Sequence, residues 1–223
     1  MEGLRAILFD FGGTLDGPGE PWVDRFAAAY RRVGVPVGVD ELRAAAGYAT
    51  RHAYHTPDIA RFSLRQTVGF HVGRQFAHLK MENPLAADAI VAYFLDRTAA
   101  ALAESRAVLA RLAARFQLGV ISNFYGNVER ILADAGFASL LATVVDSTVV
   151  GVSKPDPGIF ALATERLGVD PAHALFVGDS LEQDITPAHH AGLRTAWVTS
   201  RTGACKPPPD LRVRRLGELE HLI

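Results

Sequence analysis

Short apolar runs alternate with helical patterns along most of this sequence of 223 residues. The runs that favour buried strands lie at residues 5–9, 118–121, 143–145, 175–177, 195–198 and 211–213. Helical patterns accompany the later runs, at residues 108–116, 128–135, 159–167, 185–191 and 216–222. Strands that are separated by single helices predict a parallel sheet that is covered by helices on both faces.

One long segment interrupts this alternation. Residues 16–104 contain no convincing strand, and helical patterns occur instead at residues 22–33, 40–54, 64–79 and 85–103. Pro57 and Pro84 separate some of these patterns. We therefore predict an α/β core formed by residues 1–15 and 105–223, with a smaller all-helical unit inserted after the first strand.

The composition excludes several classes of function. A net charge of -1 and a pI near 6.7 give no general attraction to nucleic acid or to an anionic membrane surface, so any anion site must be local. The apolar run at residues 7–9 is too short for a signal peptide, and no run approaches the roughly 18 residues of a membrane span. Cys205 is the only cysteine, which fits a reducing compartment. We expect a cytoplasmic protein, either a monomer or a homodimer.

Polar residues follow the predicted strands at the points where those strands end. Asp10 follows the first strand, Ser122-Asn123 the second, and Asp179 the fourth, while Lys154 lies in the loop after the third. Open parallel sheets bind ligands beyond the carboxyl ends of their strands. We therefore expect these sequence-distant residues to converge on one site.

The chemistry of these residues is coherent. Asp10 and Asp179 offer the hard oxygen ligands that Mg²⁺ prefers, and the glycine pair after Asp10 allows backbone N–H groups to approach an anion. Ser122 can donate its hydroxyl to a phosphoryl oxygen, and Lys154 can stabilise the charge that develops during transfer. A carboxylate held in this position can act as a nucleophile and form an aspartyl-phosphate.

These segments, taken together, resemble the four ordered motifs of the haloacid dehalogenase-like hydrolase superfamily. The segments are Asp10-Phe11-Gly12-Gly13-Thr14-Leu15, Ser122-Asn123, Lys154-Pro155-Asp156-Pro157 and Gly178-Asp179-Ser180-Leu181-Glu182-Gln183-Asp184. The resemblance covers the whole chain. It implies a Rossmann-like core, a helical cap over residues 16–104, and Mg²⁺-dependent hydrolysis of a small phosphorylated metabolite.

The resemblance also implies a role for each motif residue. Asp10 is the expected nucleophile. The expected metal ligands are Asp10, the Gly12 carbonyl, Asp179 and Asp184. Asp184 alternatively supports Lys154. The expected phosphoryl-binding residues are Phe11, Gly12, Gly13, Ser122, Asn123 and Lys154. The expected catalytic residues are Asp10, Ser122 and Lys154.

Gly12 departs from the phosphatase pattern, in which an aspartate two residues after the nucleophile protonates the leaving group. One alternative is therefore a branch of the superfamily that cleaves carbon–halogen or carbon–phosphorus bonds. Phosphonoacetaldehyde hydrolases carry a small residue at this position and use a cap lysine as a Schiff base, and Lys80 is the only lysine of the predicted cap. Another alternative is a protein that binds a phosphoryl ligand without efficient catalysis.

Another side chain can also replace the missing acid. Asp16 lies close to the first motif, and the predicted cap contains His52, His55, His71 and His78. Histidine is the side chain most easily poised for proton transfer near neutral pH. For any single histidine, packing or a solvent-exposed position is the more ordinary role.

Overall fold

A computed structural model describes residues 3–223 and contains one six-stranded parallel sheet with the strand order β3-β2-β1-β4-β5-β6. The strands are β1 (Ala6–Phe9), β2 (Gln117–Ser122), β3 (Thr143–Asp146), β4 (Ala174–Gly178), β5 (Arg194–Val198) and β6 (Leu211–Val213). Every predicted strand is present with bounds that differ by at most one residue. The predicted α/β fold class, a parallel sheet with helices, is confirmed.

The central strand β1 explains why the sequence contains a continuous apolar run there. Its four residues are fully buried, because β2 and β4 pair with its two edges and hydrophobic clusters cover both faces of the sheet. Ile7 and Phe9 join the hydrophobic cluster on one face of the sheet, whereas Ala6 and Leu8 join the cluster on the opposite face. A strand that is buried on both faces carries no polar alternation.

Eight α-helices accompany the sheet in residues 3–223. They are α1 (Trp22–Val33), α2 (Val39–Tyr54), α3 (Leu64–His78), α4 (Pro84–Leu112), α5 (Val128–Asp134), α6 (Ser147–Val150), α7 (Gly158–Leu167) and α8 (Thr186–His190). Helices α1 to α4 lie between β1 and β2, as predicted for the inserted segment. The predicted closing helix at residues 216–222 is a 3-10 helix, Leu216–His221.

The prediction of two separate helices at residues 85–103 and 108–116 is wrong. Helix α4 runs through this region without a break for 29 residues. Its interior contains neither glycine nor proline and is rich in alanine, leucine and arginine, which favour helix. Ser105, where the prediction placed the break, lies within the helix, and its hydroxyl donates a hydrogen bond to the Leu15 carbonyl at 2.7 Å.

Helix α4 connects two hydrophobic cores. Ile90 and Phe94, in its first half, pack with α1, α2 and α3 in a separate cluster, whereas Leu109 and Leu112 pack against the sheet. We call α1, α2, α3 and the first half of α4 the helical insert. The division into domains at residues 15/16 and 104/105 stays a prediction, because α4 passes through the second boundary without interruption.

The register of the sheet places the polar strand ends together. Phe9, the last residue of β1, pairs with Val120 of β2 and with Val177 of β4. The Asp10 backbone N–H extends this ladder by donating to the Val177 carbonyl at 2.9 Å. The residues that follow β1, β2 and β4 therefore leave the sheet at the same edge. No helix in residues 3–223 combines the length and the apolar character that crossing a bilayer requires.

Candidate active site

A buried ammonium group lies between two carboxylates at the carboxyl edge of the sheet. Lys154 Nζ lies 2.6 Å from Asp10 Oδ1 and 2.6 Å from Asp184 Oδ1, and all three side chains are buried. The second oxygen of Asp184 accepts a hydrogen bond from the Ser180 backbone N–H at 3.0 Å. Asp184 is therefore engaged through both oxygens, and it holds Lys154 against Asp10.

Asp179 completes a cluster of three acidic residues. One carboxylate oxygen each from Asp10, Asp179 and Asp184 lie within 4.8 Å of one another. Two glycines make room for this cluster. A Cβ atom on Gly13, whose φ is +94°, would collide with the Asp179 carboxylate, and one on Gly178 would lie 2.5 Å from the Asp184 Cβ. The glycines of both motifs thus allow the carboxylates to approach.

The cluster has the charge that suits a divalent cation. Three carboxylates and one ammonium group sum to two negative charges when all are ionised. Without a counter-ion this charge is costly. Burial raises the pKa of Asp10 to about 7 despite the nearby Lys154, and burial with the Asp10 charge raises the pKa of Asp179 to about 8. The oxygen ligand set fits Mg²⁺, which binds through one or two carboxylates, waters and phosphate.

Asn123 holds the lysine loop in place. Its side-chain Oδ1 accepts a hydrogen bond from the Lys154 N–H, and its Nδ2 donates to the Lys154 carbonyl, both at 2.8 Å. Its amide is thereby committed to the backbone of Lys154, a positioning role that the sequence did not suggest. Ser122 is buried and lines the same cavity as Asp10.

A cavity of about 550 Å³ opens above this cluster. Its core side includes Asp10, Gly12, Ser122, Asn123, Lys154 and Asp179. Its opposite side comes from the helical insert and includes Trp22, Phe26, Arg43, Thr50 and His71. The predicted phosphoryl-binding residues Phe11 and Gly13 lie outside this lining, and the Phe11 ring packs edge-to-face on Phe124.

The helical side of the cavity contains residues that the sequence analysis did not identify. Arg43, Ala46, Gly47 and Thr50 line it from one face of α2, at the spacing of successive helical turns. Arg43 supplies a positive charge at the cavity, and the small residues Ala46 and Gly47 line it one turn further along the helix. The spacing alone does not separate such a face from an ordinary packing surface.

The candidate acid Asp16 has a structural role. Its Oδ1 accepts hydrogen bonds from the Gly13 N–H and from Arg25 Nη2, both at 2.7 Å, and its Oδ2 accepts one from Trp22 Nε1 at 2.6 Å. Asp16 is fully buried and lies outside the cavity lining. It connects the loop after β1 to the first helix of the insert.

His71 is the only one of the four candidate histidines that lines the cavity. It is 3% exposed, stacks on Phe26 and contacts Trp22 edge-to-face, and its Nε2 is buried without a hydrogen-bond partner in residues 3–223. Burial lowers the pKa of His71 to about 4, so its ring is neutral near pH 7. The candidate Schiff-base residue Lys80 is exposed and lies outside the cavity lining.

A side chain could be accommodated at Gly12, where the sequence lacks the second aspartate. A Cβ atom built on Gly12 would have Trp22 Nε1 as its nearest neighbour, at an ordinary contact distance of 3.7 Å. Packing therefore does not require a glycine at this position.

A family model described as haloacid dehalogenase-like hydrolase matches residues 4–192. The chain belongs to the haloacid dehalogenase-like hydrolase family. One relative of this hydrolase is the N-acetylmuramic acid 6-phosphate phosphatase of Pseudomonas aeruginosa, which is 32% identical over 208 residues that cover 87% of this chain and 81% of the relative. The phosphoserine phosphatase of Thermus thermophilus is 37% identical over 120 residues, 52% of this chain and 48% of that protein. The hydrolase thus spans about half the length of the second relative.

The solved structures of this family share the fold. The HAD-hydrolase YfnB of Bacillus subtilis, crystallised with magnesium, superposes with a TM-score of 0.62 at 20% identity, over 98% of both chains. At this level of identity the similarity concerns the fold. The resemblance that the four motifs indicated is therefore confirmed at the level of family and architecture.

Proposed function

We propose that this protein is a Mg²⁺-dependent phosphatase of a small phosphorylated metabolite, and that Asp10 is its nucleophile. The observation that carries this proposal is the convergence of Asp10, Asp179, Asp184 and Lys154 at one edge of the sheet. Lys154 orients one Asp10 oxygen, which leaves the other oxygen to attack phosphorus and form an aspartyl-phosphate. Water then hydrolyses this intermediate and regenerates Asp10.

In this proposal Asp10, Asp179, Asp184 and the Gly12 carbonyl would hold the cation. Mg²⁺ supplies charge neutralisation between the carboxylates and a dianionic phosphate. Lys154 and the Ser122 hydroxyl bind the phosphoryl oxygens, and Asn123 acts through the backbone of Lys154. Asp184 keeps the Lys154 ammonium directed at the site.

We propose that the helical insert serves as the cap that covers the substrate. It contributes Trp22, Arg43, Thr50 and His71 to the cavity above Asp10, so it contacts the part of the substrate beyond the phosphate. Excluding water there strengthens the electrostatic contacts that stabilise the transferred group. The cavity volume of about 550 Å³ suits a small molecule.

Two observations favour this function over carbon–phosphorus cleavage. The two relatives described above are named phosphatases of small molecules, and the exposed Lys80 lies outside the cavity, so it is badly placed for a Schiff base. A phosphoryl-binding protein without efficient catalysis is the second candidate, and the absence of a carboxylate at Gly12 favours it. Activity measurements separate the two.

The direct test is turnover of nitrophenyl phosphate with and without Mg²⁺, for the wild type and for Asp10→Asn. We expect Mg²⁺-dependent release of phosphate that is lost in Asp10→Asn and kept in Asp134→Asn, a change on the exposed surface of α5. Beryllium fluoride, which mimics an acyl phosphate, should bind the wild type in a Mg²⁺-dependent manner. Binding without turnover would favour the phosphoryl-binding protein. The absence of both binding and turnover would refute the phosphatase.

A further inference from the structure

Apart from the nucleophile and cation cluster, residues 3–223 contribute no side chain to the cavity that can deliver a proton to a leaving group. Its titratable groups in residues 3–223 include Asp10, Asp179, Asp184 and Lys154, which form the nucleophile and cation cluster. The others are Arg43, His71 and Tyr125. At position 12, where the carboxylate of related phosphatases would stand, Gly12 carries no side chain, and a Cβ atom there would meet Trp22 at an ordinary contact distance of 3.7 Å.

Each remaining group is unsuited to act as an acid. A guanidinium group does not act as a proton donor to a leaving group in proteins, which excludes Arg43. His71 lies in an aromatic surrounding that lowers its pKa to about 4, so near pH 7 it has no imidazolium proton to give. Burial raises the pKa of Tyr125, which makes its phenol a weaker acid than tyrosine in water. Asp16 is tied to Trp22 and Arg25 outside the cavity.

We infer that this hydrolase acts on phosphoryl donors whose leaving group departs as a stable anion: acyl, enol or aryl phosphates rather than simple alkyl phosphates. This inference rests on the proposed phosphatase function and specifies its substrate class. A positioned general acid contributes roughly 10²–10⁴-fold to such a step. The carboxylate or phenolate of an activated donor does not need that contribution, whereas an alkoxide does.

The bonds that form and break during phosphoryl transfer explain the preference for activated donors. An Asp10 oxygen forms a bond to phosphorus while the bond from phosphorus to the leaving oxygen breaks, and its electron pair stays on that oxygen. With no proton donor in the cavity the oxygen leaves as an anion and takes its proton from solvent later. In the second step water attacks the phosphorus, the Asp10 carboxylate leaves, and the protons of the water pass to solvent.

The second step also lacks the side chain that would activate water. With an activated donor, formation of the aspartyl-phosphate is therefore faster than its hydrolysis, and the phosphorylated enzyme accumulates. The value of kcat/KM reports the first step and carries the dependence on the leaving group. The value of kcat reports the second step and is similar for all activated donors.

The experiment measures kcat/KM of the Mg²⁺-loaded full chain for dinitrophenyl, nitrophenyl, phenyl and ethyl phosphate and for acetyl phosphate. Gly12→Asp introduces the missing carboxylate, and Gly12→Asn is the matched control of the same size. We expect a steep fall from dinitrophenyl to ethyl phosphate in the wild type and in Gly12→Asn. In Gly12→Asp the turnover of ethyl phosphate should rise by about 10² or more relative to nitrophenyl phosphate.

The outcomes are distinguishable. Similar kcat/KM values for ethyl and nitrophenyl phosphate in the wild type overturn the leaving-group inference but leave the phosphatase intact. A steep series that Gly12→Asp does not flatten, in a variant that circular dichroism shows to be folded, also overturns it. No turnover of any donor, with no phosphoryl group on Asp10 by mass spectrometry, refutes the phosphatase itself. The kcat/KM values of the wild type for the series of phosphate esters test the leaving-group inference even when neither variant folds.

Discussion

Asp16 and Arg25 form an ion pair of 2.7 Å that is almost completely shielded from solvent. Arg25 also donates to the Asp16 carbonyl at 2.7 Å and to the Thr98 hydroxyl at 3.0 Å, and its guanidinium lies over the Phe94 ring. The pair therefore joins the loop after β1 to two helices of the insert. It holds the insert in its position above Asp10.

Breaking this pair should destabilise the protein strongly. In Arg25→Met the Asp16 carboxylate stays buried without its partner, which typically costs about 3–5 kcal/mol. Urea unfolding measures this loss. The control is Arg215→Met, which removes an exposed ion pair with Glu218 and should cost less than about 1 kcal/mol. Equal effects of the two variants would contradict the structural role of Asp16.

The acidic cluster should make the metal-free protein less stable as the pH rises. Burial and mutual repulsion raise the pKa of Asp10 to about 7 and of Asp179 to about 8, above the value of about 4 in the unfolded chain. The folded state therefore holds these protons more tightly, and stability is lost between about pH 4 and pH 8. Asp179→Asn removes one of the charges.

We expect Asp179→Asn to raise the Tm in EDTA at pH 8 by about 2–4 °C for each kcal/mol of repulsion relieved. Mg²⁺ should raise the Tm of the wild type and leave that of the variant nearly unchanged. Differential scanning calorimetry with and without Mg²⁺ measures both effects. A variant that is less stable than the wild type in EDTA would show that the cluster is not repulsive.

His71 should make the protein sensitive to acid. Burial lowers its pKa to about 4 from an ordinary 6.5, so the unfolded chain takes up a proton at a higher pH than the folded protein. The contribution of His71 to the free energy of unfolding is therefore fully present above pH 6.5. It decreases by up to about 3 kcal/mol as the pH falls toward 4.

His71→Phe tests this because it keeps a ring against Phe26 and removes the titrating group. The free energy of unfolding of this variant should fall less than that of the wild type between pH 6.5 and pH 4. His78→Phe changes an exposed histidine on the same helix and is the matched control. Parallel pH profiles for His71→Phe and the wild type would assign the acid sensitivity to other groups.

Asn123 should affect activity more than stability. Asn123→Ala removes both hydrogen bonds to the Lys154 backbone, so the ammonium loses its fixed position relative to Asp10. Misplacement of a catalytic group by about 1 Å can cost on the order of 10²-fold in rate. We expect this loss in kcat/KM for nitrophenyl phosphate. Unchanged activity with a folded variant would show that Asp10 and Asp184 alone position Lys154.

Several features of the site were predictable because they are local in sequence. Asp10 was identified because it ends an apolar run, and that run is apolar because β1 is buried between two strands and two layers of helices. Lys154 was identified from its motif and its place after the third strand. Its partners Asp10 and Asp184 lie 144 and 30 residues away, and only the sheet brings them within 2.6 Å.

Other features depend on packing between distant segments. The helical pattern predicted a helix end near Ser105. In the structure the Ser105 hydroxyl donates a hydrogen bond to the Leu15 carbonyl, and α4 continues through this position. Asp16 and the four histidines of the insert were equivalent candidates by residue type. In the structure Asp16 accepts a hydrogen bond from Trp22. His71 packs against the Trp22 and Phe26 rings between α1 and α3, where it lines the cavity.

The sequence by itself determined the α/β class, the family, and the residue types available for chemistry, because burial periodicity and motif spacing are properties of a continuous chain. Only the tertiary structure decided which side chains face one another, which carboxylates are engaged in ion pairs, and that a Cβ atom on Gly12 would meet Trp22 at an ordinary contact distance. Those properties depend on side-chain distances of a few ångströms between residues far apart in sequence, and on the burial that shifts their pKa values.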